Sequence, residues 1–93
     1  MAKPRTLEQL KGFLGDIPRL RALQHGNGEF PSWKNRVLKV LGSAYGEDSA
    51  EVRRFVNAPG KAFIINTESG LRLEYLRQLE SYEGVLQSLV GES

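Results

Sequence analysis

Apolar residues recur at intervals of three and four along most of this chain, the spacing of one face of an α-helix. Leu7, Leu10, Leu14, Ile17, Leu20 and Leu23 form the first such stripe. Thr6 with Gln9 three residues on has the spacing of a capping box, so a helix is predicted to open at Thr6. Gly15 and Pro18 interrupt it. A proline in a helix interior lacks the N–H and clashes with the preceding turn, so residues 6–23 read as one kinked helix or two short ones broken near Asp16. Trp33, Val37, Val40, Leu41 and Ala44 predict a second helix over 32–45, with Ser32 as its N-cap and Gly46 at its C-terminus. Asp48 and Glu51 repeat the capping-box spacing and predict a third helix over 48–57, with Val52, Phe55 and Val56 inward. Thr67 is placed to cap a last helix over 67–90, striped by Leu71, Tyr75, Leu79, Tyr82, Leu86 and Leu89. At 1.5 Å per residue that helix is about 34 Å long, more than one small core needs. Either it supports the whole bundle along its length or it offers a surplus face to a partner.

Two segments break the periodicity. Residues 25–31, HGNGEFP, read as a loop because glycine, asparagine and proline all disfavour regular structure there. Residues 61–66, KAFIIN, are a brief apolar run with no second strand to pair with, so they are expected to pack as a loop plug or an extra turn. The fold class is therefore all-α: a compact bundle of four to five helices with a long C-terminal helix, one domain over residues 1–93. Its predicted core is Leu10, Leu14, Trp33, Val37, Leu41, Phe55, Tyr75, Leu79 and Leu86.

Composition narrows the classes. Hydrophobic residues are 40% and charged residues 26% of the 93, proportions of a globular domain and not of a disordered chain. The absence of cysteine removes a disulfide scaffold and a thiolate zinc site. No apolar run approaches the roughly 20 residues that span a bilayer, and the basic N-terminus lacks the apolar core of a signal peptide. A cytoplasmic location without membrane contact is expected.

The catalytic inventory is thin. His25 is the lone histidine, in a glycine-flanked loop with only Glu29 as a nearby carboxylate in sequence. Glu47, Asp48 and Glu51 suit helix capping and the positive end of a helix dipole better than acid–base or magnesium chemistry. Gly26-Asn27-Gly28 lacks the lysine and preceding strand of a phosphate loop. No catalytic residue, cofactor or metal site is predicted, and no enzyme activity. The strongest functional signal is basic. Residues 1–60 carry a net charge of +4 and residues 61–93 a net −2. Lys34, Arg36, Lys39, Arg53 and Arg54 fall on the outer faces of the second and third predicted helices and form the candidate binding surface. Two short helices around a turn invite comparison with a helix-turn-helix, but Glu47, Asp48 and Glu51 stand where DNA phosphates would approach.

Trp33, Val37 and Leu41, then Tyr45-Gly46-Glu47-Asp48-Ser49 and Phe55, then Leu71, Tyr75, Leu76, Leu79 and Leu86, carry a resemblance over residues 30–90. The pattern resembles a small helical module at the N-terminus of bacterial nucleotide-binding proteins with a TIR-like C-terminal domain, and of other proteins linked to phage defence. The TIR-like domain itself is absent here, so none of its nucleotide-binding residues carries over. The resemblance implies a module for self-association or for sensing a partner, either cut from a longer protein or free-standing. The expected function is thus a non-catalytic interaction or oligomerisation module, with a protein partner or a second copy of itself. The alternative is nucleic-acid or nucleotide binding through the basic residues of the second and third helices.

Overall fold

The computed structural model describes residues 4–60 and 67–91, and within them the chain is all-α, with no strand. The elements in order are α1 (Pro4–Gly15), α2 (Ile17–Ala22), α3 (Glu29–Tyr45), α4 (Ala50–Asn57) and α5 (Glu68–Gly91). The apolar run at 61–66 lies outside the described residues.

The break between α1 and α2 falls at Asp16. Its N–H still reaches back to the carbonyls of Gly12 and Phe13, at 3.2 and 3.1 Å, so the two helices are separated by a single residue. Pro18 takes the second position of α2, where a missing N–H leaves no helical bond unmade. Thr6 does not open α1. The helix already runs from Pro4, and Thr6 is buried inside it.

α3 starts three residues before the predicted Ser32. Its first turn contains Pro31, whose N–H belongs to the set that has no helical acceptor in any case. The capping is done by Asn27, whose Oδ1 accepts the Phe30 N–H at 2.9 Å. α3 ends at Gly46, which has φ +101°, a conformation other residues rarely adopt. α4 is capped by Ser49 and not by Asp48: Ser49 Oγ accepts the Val52 N–H at 3.2 Å. Thr67 caps α5 as its sequence position suggests, accepting the Gly70 N–H at 3.0 Å.

α5 packs against α1, α2 and α4, and α3 packs against α1 and α4. Buried residues occur along the whole of α5, from Gly70 through Tyr75, Leu79, Tyr82 and Leu86 to Leu89. Its length of about 36 Å runs along most of the 42 Å long axis of the molecule. The long helix therefore supports the bundle throughout. The core joins Leu10, Ile17, Leu20, Phe30, Trp33, Val37, Leu41, Phe55, Tyr75, Leu79, Tyr82, Leu86 and Leu89. Four residues expected to face inward do not join it. Leu14 is half-buried at the core margin, and Ala44 is exposed. Val56 and Leu71 are exposed as well, at 53% and 42%, although the neighbouring Phe55 and Gly70 are buried.

The centre of this core is aromatic. Trp33 lies within 6.5 Å, centroid to centroid, of Phe13, Phe30, Phe55 and Tyr82. Its indole Nε1 donates to the Phe13 carbonyl at 3.3 Å, so the ring ties α3 to the end of α1. Phe30, in the segment read as loop, meets Tyr75 edge-on at 5.1 Å.

Gly84 sits in the interior of α5 on the exposed side, and a Cβ added there would meet no atom within 4 Å. Glycine costs a helix interior about 1 kcal/mol relative to alanine. Gly84→Ala is therefore expected to stabilise the isolated chain by about 1 kcal/mol, read as a higher midpoint in dilute circular-dichroism melts.

Candidate functional site

The five predicted basic residues do not form one surface. On α3, at about 100° per residue, Lys34 and Arg36 point about 160° apart. Lys34 turns inward: its Nζ lies 4.7 Å from the Phe30 ring centroid and 5.9 Å from that of Tyr82. This ammonium–ring contact holds it against the aromatic core. Arg54 reaches across to α5, where its Nη2 donates to Ser88 Oγ at 2.8 Å. Arg36, Lys39 and Arg53 remain on exposed outer faces. Two of the five thus fasten the bundle, which a residue-type pattern could not distinguish from a binding role.

Other polar groups that sequence reading missed also fasten α5 to the rest. Arg72 donates to the carbonyls of Leu23 and Arg21, at 2.7 and 2.8 Å, and so satisfies the end of α2. Arg77 grips Glu74 through two hydrogen bonds, at 2.9 and 2.5 Å, and donates to the Pro59 carbonyl at 2.6 Å. The guanidinium holds the Glu74 carboxyl below its ordinary value, chiefly through these hydrogen bonds. Tyr75 Oη donates to the Leu20 carbonyl and accepts from Asn27 Nδ2 at 3.1 Å. Little in the sequence signals this: Arg72 and Arg77 lie inside the predicted last helix, and Asn27 lies in the segment read as a loop.

His25 does not pair with Glu29, which instead meets Arg19 at 3.2 Å. Its Nε2 lies 3.5 Å from Glu68 Oε2, an ion pair only when the ring is protonated. Gln24, His25, Glu68, Ser69, Arg72 and Leu73 line a shallow open depression at the start of α5. Arg72 is already committed to the α2 carbonyls there, and Glu68 is almost fully exposed. Among the described residues no three His, Asp or Glu side chains stand close enough together to hold a metal ion. No helix among them is long and apolar enough to cross a membrane.

Burial of Tyr82 pushes its phenol above the ordinary value of 10.0. Its neutral form is favoured in the folded state, so this contribution to stability is complete below pH 10.0 and is lost as pH rises through the raised folded value. Denaturant melts across the alkaline range are expected to show stability falling from about pH 10 upward, with a shallower fall in Tyr82→Phe. An equal fall in both proteins would contradict this.

α5 also carries exposed surface. Of the large hydrophobic residues among the described ones, Leu73 is the most exposed, at 66%. It heads an outer strip with Ser69, Glu80, Gly84 and Gln87, all exposed and all opposite the buried stripe. Compared with protein-family models, with curated proteins and with solved structures, the chain matches none of them.

Proposed function

We propose that this chain is a non-catalytic helical module that works by protein–protein contact, self-association foremost, through the outer face of α5. The observation behind this reading is the exposure of Leu73 on a helix whose apolar stripe from Tyr75 to Leu89 is consumed by the core. An isolated exposed leucine is ordinary on a protein surface. Here it is followed along the helix by the exposed Glu80, Gly84 and Gln87. The resemblance of residues 30–90 to modules of bacterial defence proteins fits the same role.

The division of the basic residues weighs against the nucleic-acid alternative, since Lys34 is held against the aromatic core and Arg54 is bonded to Ser88 of α5. Light scattering over a rising concentration series tests association and is expected to show mass increasing with concentration. Titration with duplex DNA and RNA at two salt concentrations tests the alternative. Binding to either that weakens steeply with salt would contradict the proposed reading, because release of counterions from phosphates produces that dependence.

A further inference from the structure

Of the four asparagines in this chain, Asn27 alone is followed by glycine. In such a pair the backbone nitrogen of the second residue approaches the asparagine Cγ without hindrance from a side chain of its own. Asn27 also holds a junction. Its Oδ1 accepts the Phe30 N–H at 2.9 Å, and its Nδ2 donates to the Gln24 carbonyl and, at 3.1 Å, to the Tyr75 hydroxyl. The Tyr75 hydroxyl donates in turn to the Leu20 carbonyl. One carboxamide thus joins the end of α2, the start of α3 and α5. Gly28 is exposed, and its N–H makes no hydrogen bond among the described residues. The reacting nitrogen is unrestrained while the carbon it attacks is held.

We propose that Asn27–Gly28 is a site of spontaneous deamidation that the folded junction holds shut, and that reaction there unties α2, α3 and α5. The Gly28 nitrogen attacks Asn27 Cγ. A C–N bond forms, the Cγ–Nδ2 bond breaks, and ammonia leaves with the proton that the Gly28 nitrogen gives up. Water then opens the five-membered imide at either carbonyl, leaving aspartate or isoaspartate. The three hydrogen bonds fix the carboxamide, so attack waits until the junction opens, and the rate follows the open population. Both products lose the donor to Gln24 and Tyr75. Aspartate keeps an oxygen for the Phe30 N–H, whereas isoaspartate lengthens the backbone by a methylene and loses the cap as well.

Incubation at mildly alkaline pH, followed by peptide mapping with mass spectrometry, reads the reaction. In the folded protein Asn27 is expected to convert at least about tenfold more slowly than in unfolding urea. Tyr75→Phe removes one restraint and is expected to raise the folded rate about two- to tenfold. Leu86→Val, a core truncation towards the other end of α5, is expected to leave that rate unchanged. Gly28→Ala, whose methyl meets no atom within 4 Å, is expected to fold and to slow conversion in urea. The isoaspartyl chain, separated by ion exchange, is expected to unfold at lower urea than the parent. No conversion of Asn27 in urea, or equal rates in folded and unfolded protein, overturns the proposal. Acceleration by Leu86→Val as large as by Tyr75→Phe also overturns it, because global unfolding and not the junction would then set the rate. An isoaspartyl chain with the parent's urea midpoint overturns the untying of the three helices.

Discussion

Trp33→Ala is expected to remove most of the stability of this chain. The indole is fully buried, contacts four other aromatic rings, and donates its N–H to the end of α1. Truncating a buried tryptophan costs about 3–5 kcal/mol, part in lost transfer energy and part in the cavity left behind. A domain of this size is stable by about 5–15 kcal/mol in total. The thermal midpoint is expected to fall by about 15–30 °C, at about 4–8 °C per kcal/mol for a chain of this length. Trp33→Phe retains much of the ring volume and loses the hydrogen bond, so its fall should be well under half as large. Circular-dichroism melts read both, since the substitution removes the fluorophore. A Trp33→Ala protein that melts within a few degrees of the parent would mean that the aromatic cluster does not hold the bundle together.

Asn27→Ala is the second large effect, and its cause is polar. The side chain caps α3 through Phe30 N–H, closes its own turn on the Gln24 carbonyl, and donates to the Tyr75 hydroxyl. Loss of an N-terminal cap costs about 0.5–2 kcal/mol, and loss of a further hydrogen bond about 1 kcal/mol. The sum expected is about 1.5–3 kcal/mol. Asn27→Asp keeps the cap and loses the donor, so it should recover the α3 share only. Urea denaturation of the three proteins separates these shares, and identical midpoints for all three would contradict the capping assignment.

Much of the fold was legible because its periodic stripes are long. The α1–α2 break followed from Pro18, and the α5 start from Thr67. Gly46 at the end of α3 was equally readable, since a positive φ there selects glycine. Phe30 was not legible. It stands between glycines and a proline that together signal a loop, and only the placement of Pro31 in the first turn of a helix reconciles them. Leu71 and Val56 are exposed beside the buried Gly70 and Phe55, so which side of each helix is covered is set by tertiary geometry and invisible to periodicity. The candidate basic surface was legible as charge and misleading as a surface. What a lysine or arginine touches depends on which ring or hydroxyl lies across from it, as Phe30 does for Lys34 and Ser88 for Arg54.

The central claim is that this bundle acts through contact between α5 faces, and sedimentation equilibrium tests it most directly. The weight-average mass is expected to rise from the 10.4 kDa monomer towards twice that value as concentration increases through the micromolar range. In Leu73→Ser it should stay near the monomer under the same conditions, with an unchanged circular-dichroism spectrum. A constant 10.4 kDa for the unmodified chain at every concentration would contradict the account.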